Sequence, residues 1–269
     1  MTLVDVGTGT PVVLIPGVQG RWEWMRRAVD ALATGARVLT FSLADEPTAH
    51  AAFDPEHGFN SYVEQVRLAL DQKGLSRAVI CGVSYGGLVA ATFAARHPDR
   101  TSALVLVSAI PPDWSPDARI RFYLRAPRLL VPLFMLASLR LFAEILSAAG
   151  SPQRAIQQGV RQAWTVLTHM FSPFRMARRA RLIDGMALTE EVALVAAPTL
   201  IVVGEEGRDR VVPVARTLEY ATLIPHARAV TISRSGHLGC MTRPDVFAEL
   251  VLSFVREHTE TSAQGDHRG

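Results

Sequence analysis

One short segment limits how this chain can fold more than any other: Gly82-Val83-Ser84-Tyr85-Gly86-Gly87. Hydrophobic patterning predicts a buried strand over Arg77–Val83 before it and a helix over Leu88–Arg96 after it. A strand that turns this sharply into a helix holds its serine in a strained backbone region, so the flanking residues must be almost without side chains. The spacing predicts a nucleophile elbow that presents the Ser84 hydroxyl at the end of a sheet. The alternative is a glycine-rich turn with an incidental serine.

A serine hydroxyl is a poor nucleophile at neutral pH and needs a neighbouring base. His237 follows a strand-like stretch and lies in a predicted loop, where the catalytic groups of open parallel sheets collect. His97 closes the helix after the elbow, where contact with the helix dipole favours a structural role. We therefore predict that His237 is the base, with a structural role as the alternative.

The base in turn needs a carboxylate to orient it, and the chain order places that group between serine and histidine. An apolar strand over Thr199–Gly204 precedes a charged loop that contains Asp209, which we favour as the acid. Glu205 and Glu206 in the same loop, and Asp113 after the preceding strand, stay open as alternatives. An ordinary solvated loop carboxylate is the structural alternative.

Four segments match a known superfamily in the right order: Val12-Val13-Leu14-Ile15-Pro16-Gly17, the Ser84 elbow, Pro198-Thr199-Leu200-Ile201-Val202-Val203-Gly204 and Ser235-Gly236-His237. Through them the chain resembles the α/β-hydrolase superfamily over nearly its whole length. The resemblance implies an α/β fold with a mostly parallel, twisted, eight-stranded sheet flanked by helices, and an inserted helical cap.

The resemblance also implies site residues. It assigns a catalytic triad to Ser84, Asp209 and His237. It further assigns an oxyanion hole to two backbone N–H groups, those of Val18 and Tyr85.

Three features depart from the superfamily pattern. Pro16-Gly17 stands where a His-Gly pair is usual, which keeps backbone donation but removes a side chain that commonly braces the loop. The segment Ser42-Leu43-Ala44-Asp45-Glu46-Pro47 replaces the usual Arg-Gly-x-Gly-x-Ser. The acid lies two residues farther past Gly204 than usual, although the alignment of Val211-Val212-Pro213 still favours Asp209.

Alternating strands and helices predict one parallel sheet. The predicted strands are Val12–Pro16, Ala36–Leu43, Arg77–Val83, Thr101–Ser108, Thr199–Val203 and Arg228–Ser233. The predicted helices are Tyr62–Gln72, Leu88–Arg96, Val214–Leu223 and Val246–His258. We divide the chain into a core domain (1–111 and 187–259), a helical cap (112–186) and a polar, frayed tail (260–269).

The cap region has two unusual properties. Its apolar stretch from Leu129 to Leu146 is interrupted by Pro132 and Arg140 and is too broken for a membrane-spanning helix. We expect a cap helix packed on the core, with a lipophilic lid that touches acyl chains or a membrane surface as the alternative. The cap also contains 11 arginines against 4 acids. These arginines either steer anionic substrates or cover apolar surface with their stems, and we favour the second.

Composition excludes several other classes of protein. With 269 residues and 49% hydrophobic content, the chain can bury a sizeable core and is not largely disordered. No signal-peptide pattern opens the sequence, and the cysteines at 81 and 240 are expected to be reduced, which together favour a cytoplasmic bacterial protein. No basic, aromatic-interleaved stripe indicates nucleic-acid binding.

A loop rich in potential metal ligands extends from Asp45 to His57. Its histidines, His50 and His57, are seven residues apart in a proline-containing loop without helical spacing or thiolates, so we interpret it as solvated. The sequence predicts neither a metal nor a cofactor.

The resemblance and the serine together predict hydrolysis of a small to medium, lipophilic carboxylic ester through an acyl-enzyme. Gln19, Trp22 and Trp24, just beyond the oxyanion turn, are expected to line the pocket, although the tryptophans are equally consistent with core positions. Carbon–carbon bond hydrolysis, lactone opening and acyl transfer remain alternatives within catalysis. A ligand-binding relative without turnover is the alternative outside catalysis.

Overall fold

The computed structural model describes residues 1–133, 144, 160, 169 and 172–265. Within them, seven strands form one sheet. The strands are β1 (Val4–Val6), β2 (Pro11–Ile15), β3 (Arg37–Thr40), β4 (Ala78–Val83), β5 (Thr101–Val107), β6 (Thr199–Val203) and β7 (Ala227–Thr231). Their order is β1-β3-β2-β4-β5-β6-β7, with β1 antiparallel to β3 and every other pair parallel.

This sheet confirms the predicted mostly parallel α/β fold. The superfamily resemblance implied eight strands, whereas the described residues form seven. At one edge of the described sheet, the three-residue strand β1 pairs with β3.

Helices cover both faces of the sheet. They are α1 (Arg26–Leu32), α2 (Asn60–Gln72), α3 (Tyr85–Arg96), α4 (Ala118–Arg125), α5 (Pro173–Ile183), α6 (Thr189–Val192), α7 (Val214–Leu218), α8 (Tyr220–Leu223), α9 (Gly239–Thr242) and α10 (Pro244–Gly265). The single helix predicted over 214–223 is divided at Glu219. The last helix continues past its predicted end at His258 to Gly265.

Alternation along the strands divides the core into two layers. On β2, Val13 and Ile15 pack in the layer that contains α2 and α3, whereas Val12 and Leu14 pack in the layer that contains α1 and α10. Burial on both faces explains why the central strands read as continuous apolar runs rather than as alternating ones. It also leaves the carboxyl ends of the strands as the edge where loops can form a site.

The division into core, cap and tail remains a prediction. Helices α4 and α5 lie in the predicted cap region. Residues 134–143, 145–159, 161–168 and 170–171 of that region, which include most of its apolar stretch, and 266–269 of the tail lie outside the described residues. In the parts of the chain that are described, none of the helices combines the length and apolarity needed to cross a membrane.

The edge strand β1 is held to its neighbours by a carboxylate shared between two cations. Asp5 accepts two hydrogen bonds from the Arg37 guanidinium, at 3.0 and 2.8 Å, and its Oδ2 lies 3.0 Å from Lys73 Nζ. The bond from Arg37 outweighs partial burial and, with Lys73, lowers the pKa of Asp5 to about 2.

We predict that Asp5→Asn lowers the free energy of unfolding at pH 7 by about 1 kcal/mol, the upper range for an exposed ion pair. Because folding lowers this pKa from 3.8 to about 2, the stabilisation is complete above the unfolded value and is lost as pH falls through the folded value. Urea unfolding from pH 7 down to pH ~2.5 should show that the difference in free energy of unfolding between the parent and Asp5→Asn becomes smaller. Asp30→Asn, on the exposed face of α1, is the control. A difference independent of pH would contradict this account.

Candidate active site

Ser84 lies in the sharp turn between β4 and α3 that the sequence predicted. Its backbone is strained, with φ 54° and ψ −115°, and its N–H donates to Val107 O at 2.8 Å. Glycine is required on both sides, because a Cβ on Gly82 would lie 2.1 Å from Gly86 O and a Cβ on Gly86 would lie 2.5 Å from Ile15 O. Close packing that only glycine permits therefore holds the serine in this conformation.

His237 lies in the loop between β7 and α9, and its ring contacts Asp209. Its Nδ1 is 3.0 Å from Asp209 Oδ2, and the two side chains are 8% and 2% exposed. The other oxygen, Asp209 Oδ1, accepts backbone bonds from Val211 and Val212 at 2.9 and 2.8 Å. A carboxylate fixed in this way favours the tautomer with the proton on Nδ1, which leaves Nε2 as the basic nitrogen.

Two glycines bring the loops of Asp209 and His237 together. A Cβ on Gly204, at the end of β6, would lie 2.5 Å from Gly236 O. A Cβ on Gly236 would lie 2.4 Å from Arg208 O and 2.9 Å from the Asp209 nitrogen. The two loops approach to a distance that larger residues would prevent, so the glycines next to the histidine and the acid are part of the site's construction.

The other carboxylates considered from the sequence have different partners. Glu205 accepts the Arg234 N–H at 2.8 Å and pairs with Arg208 at 2.7 Å. Asp113 pairs with Arg216 at 2.6 Å and is 53% exposed, and Glu206 is exposed. Among these four described carboxylates, Asp209 is the one hydrogen-bonded to His237.

Ser84 and the acid loop lie on the same edge of the sheet. Ser84 N–H bonds to the end of β5, and Ser108 N–H bonds to Val202 O at the end of β6 at 2.8 Å. The described structure contains a hydrogen bond from His237 to Asp209 and none from the Ser84 hydroxyl to His237. Catalytic hydrogen bonds often tighten only when substrate binds, so contact between serine and histidine is part of the proposal below.

The two predicted oxyanion donors flank Ser84. Val18 lies in a turn closed by Gly20 N–H on Gly17 O at 2.9 Å, and a Cβ on Gly17 would lie 3.5 Å from Ser84 Cβ. Tyr85 is the first residue of α3, where a backbone N–H has no partner within the helix. Tyr85 therefore follows the serine directly and Val18 follows a residue that lies beside it, and the assignment of both as donors remains a prediction.

The three predicted pocket residues lie in different surroundings. Gln19 folds back on its own loop, since its Oε1 lies 2.8 Å from where a Gly17 Cβ would be. Trp22 packs against the core layer of α1, with the Arg26 guanidinium 4.6 Å from its ring centroid. Trp24 Nε1 donates to His169 O in the cap region at 3.0 Å. Their role in substrate binding remains a prediction.

Sequence reasoning missed a buried carboxylate from the cap region. Glu144 Oε1 accepts the N–H groups of Gly236 and Leu238, at 2.9 and 2.7 Å, on both sides of His237. Burial outweighs these two bonds and raises the pKa of Glu144. The available signal was a single acid inside an apolar stretch, a position that requires a polar partner.

Potential metal ligands in the loop from Asp45 to His57 bind other side chains instead. Asp45 and Glu46 pair with Arg179, His57 Nδ1 lies 2.5 Å from Asp54 Oδ2, and His50 bonds to a threonine. Among the described residues, no three His, Cys, Asp or Glu side chains are grouped to hold a metal ion. The cysteines at 81 and 240 are free and buried.

Comparisons with known proteins agree with this architecture. Residues 10–244 match the model of the alpha/beta hydrolase fold family. A 2-hydroxymuconate semialdehyde hydrolase from Pseudomonas putida is 27% identical over 270 residues, which are 95% of this chain and 90% of the relative. A pimeloyl-(acyl-carrier protein) methyl ester esterase from Vibrio atlanticus is 26% identical over 260 residues, 93% of this chain and 96% of the relative.

A solved esterase structure from Exiguobacterium antarcticum superposes with a TM-score of 0.77 and 20% identity over 94% of each chain, which shows the shared fold. The family model covers most of the chain and includes the Ser84 turn and both loops of the Asp209–His237 pair. The predicted superfamily is confirmed: this chain belongs to the α/β-hydrolase fold family.

Proposed function

We propose that this protein is a serine hydrolase that cleaves carboxylic esters through an acyl-enzyme on Ser84. The buried Asp209–His237 hydrogen bond, on the sheet edge that carries the strained serine, is the observation that supports it. Relatives over nearly the full length are hydrolases, one of them a methyl ester esterase. The proposed chemistry therefore lies within what the family performs.

In the first step, Ser84 Oγ attacks the ester carbonyl carbon while His237 Nε2 takes the hydroxyl proton. This step requires the Ser84 hydroxyl to come within hydrogen-bond distance of Nε2. Asp209 stays ionised and stabilises the imidazolium that forms. Its two backbone hydrogen bonds keep the carboxylate from turning away from the ring.

The carbonyl oxygen becomes an oxyanion in the tetrahedral intermediate. The N–H groups of Val18 and Tyr85 donate to it, and each such pre-positioned donor typically contributes ~10²–10³ in rate. The N-terminus of α3 adds its positive dipole end at the same place.

Collapse of the intermediate breaks the bond to the alkoxy oxygen, which takes the proton from His237 and leaves as the alcohol. Water then attacks the acyl-enzyme while His237 removes its proton. The second intermediate releases the carboxylic acid and returns the proton to Ser84. We expect small to medium substrates with a lipophilic acyl or alcohol group, bound near Gln19, Trp22 and Trp24.

We predict that Ser84→Ala lowers the rate of p-nitrophenyl ester hydrolysis by about 10⁴–10⁶-fold, because the nucleophile is lost. The variant should also fail to react with a fluorophosphonate probe that labels the parent. Ser253→Ala on α10, where the hydroxyl bonds to Glu257 on the same helix, is the matched control and should keep both properties. Turnover that survives in Ser84→Ala would eliminate the proposal.

We predict that Asp209→Asn lowers kcat by about 10⁴-fold, because an amide in this position favours the wrong imidazole tautomer. Asp113→Asn, which removes an exposed ion pair with Arg216, should change kcat by no more than about twofold. Steady-state kinetics on one ester measures both. Loss of activity in Asp113→Asn alone would assign the acid to the loop after β5 instead.

Carbon–carbon bond hydrolysis is the second candidate. The relative from Pseudomonas putida, named for 2-hydroxymuconate semialdehyde, a compound without an ester group, favours it. The same serine and histidine would serve, but the leaving group would be a carbanion that must be protonated rather than an alkoxide.

A comparison of kcat/KM on p-nitrophenyl esters of increasing acyl length with kcat/KM on a 2-hydroxy-6-oxo-dienoate distinguishes ester hydrolysis from carbon–carbon bond hydrolysis. We expect the esters to be preferred. A preference for the dienoate by a hundredfold or more, about 3 kcal/mol in transition-state binding, would replace the ester proposal with the second candidate.

A further inference from the structure

A fully buried arginine from the cap region contacts the chain beside the candidate oxyanion loop. Arg179 on α5 has a side chain that is 0% exposed. Its Nη2 donates to Asp45 Oδ1 at 2.5 Å and to Glu46 Oε1 at 2.6 Å, and its Nε donates to Asp45 at 3.0 Å. Both carboxylates are 1% exposed. Burial disfavours the charge, but Asp45 and Glu46 outweigh it and raise the pKa of Arg179.

One guanidinium nitrogen has a partner outside this ion cluster. Arg179 Nη1 donates to the carbonyl oxygen of Val18 at 2.7 Å. The fit is close, because a Cβ on Gly20 would lie 2.2 Å from the same nitrogen, and Gly20 has a φ of +80°. The turn that carries Val18 is therefore shaped around the guanidinium.

The rest of the turn is fixed to the core domain. Gly20 N–H bonds to Gly17 O at 2.9 Å, and Gly20 O accepts the Leu43 N–H at 2.7 Å. With the turn closed and the Val18 carbonyl held by Arg179, the φ and ψ of Val18 have little freedom. The Val18 N–H lies in the Gly17–Val18 peptide plane, and those two angles set the orientation of that plane relative to the Val18 carbonyl held by Arg179.

Tyr85, the residue of the other predicted donor, adjoins the same cluster. Its buried ring packs edge-on against Tyr62, with centroids 5.8 Å apart. Burial is the main reason that the pKa of Tyr85 is raised, and the charges of Arg179 and Asp45 also act on it. Of the residues with a predicted oxyanion donor, Val18 is the one bonded directly to Arg179, and Tyr85 is linked to the charged group through its ring.

We propose that Arg179 is a positioning residue for the oxyanion hole: through its hydrogen bond to the Val18 carbonyl, it orients the Val18 N–H toward the substrate oxyanion. This inference rests on the proposed function. In this role Arg179 supports the turn in place of the histidine side chain that is usual in the superfamily and absent from Pro16-Gly17. Asp45 and Glu46, the two acids that pair with Arg179, lie in the segment that departs from the superfamily pattern.

If Arg179 only held the cap region against the core domain, other arginines of the same helix could do so without it. From the same helix, Arg175 lies 3.5 Å from Glu46 and Arg178 lies 3.3 Å from Asp45, and both are partly exposed. These two arginines pair with the same carboxylates, whereas the bond to Val18 comes from Arg179. The neighbouring Arg178 therefore serves as a matched control for the ion pairs alone.

The test compares Arg179→Lys with Arg178→Lys. A lysine at 179 keeps the charge next to Asp45 and Glu46 but lacks the fork that reaches Val18 as well. We expect Arg179→Lys to lower kcat on p-nitrophenyl esters by about tenfold to a hundredfold, part of the loss from removing one oxyanion donor. KM should change by less than about threefold, because the donor acts on the transition state. Arg178→Lys should keep the parent kcat.

Amide hydrogen exchange of the segment 16–21 provides a readout that needs no turnover. We expect faster exchange there in Arg179→Lys and parent-like exchange in Arg178→Lys. If the parent hydrolyses no ester, the proposed function fails, and this exchange measurement alone then decides whether Arg179 anchors the turn. Parent-like exchange in Arg179→Lys would overturn the proposal, and so would an unchanged kcat in an active enzyme.

A second variant covers the case in which Arg179→Lys does not fold. The triple substitution Arg179→Met, Asp45→Asn and Glu46→Gln leaves no buried charge without a partner, and neutral replacements of this kind are often tolerated. It also lacks the bond to Val18, so it should show the same fall in kcat with little change in KM. A triple variant with the parent kcat would overturn the proposal as well.

Discussion

The strained backbone at Ser84 is the constraint on which the candidate site depends. A positive φ at a residue with a side chain costs on the order of 1–3 kcal/mol, and surrounding structure must impose it. Here the imposing contacts are backbone against backbone, because Gly86 lies directly on the carbonyls of Ile15 and Pro16. The same contact that forces the serine outward also places the end of β2, and with it the turn of Val18, beside the hydroxyl.

The cap region contributes to the site on two sides. Glu144 binds backbone N–H groups on either side of His237, and Arg179 binds the carbonyl of Val18. In each case a buried ionisable side chain of the cap region contacts the main chain of a loop, not the side chain of Ser84, Asp209 or His237. Loops that connect strands to helices have few contacts of their own, and a charged hydrogen bond restricts them more than a neutral one does.

Features that depend on local pattern could be predicted from the sequence. The strand Thr199–Val203 is found with its predicted bounds, and the turn at Ser84 lies between β4 and α3 as expected. Bounds and breaks that depend on packing could not be predicted, such as the division of the 214–223 helix at Glu219. The contact of Arg179 with Asp45 joins residues 134 positions apart. Helical spacing places Arg175, Arg178 and Arg179 on one face, but no local rule identifies the acids that face them.

Because no local rule identifies partners that are distant in sequence, two departures from the superfamily pattern look unrelated in the sequence. One removes a bracing side chain at Pro16, and the other places two acids after β3. A single guanidinium connects them, since Arg179 touches both those acids and the turn that follows Pro16. Removing either partner of a buried ion pair leaves an uncompensated charge, which is strongly destabilising, and a side chain at Gly20 would occupy the guanidinium's place. Asp45, Glu46, Gly20 and Arg179 therefore constrain one another, and the turn of Val18 is joined to this group by the bond from Arg179.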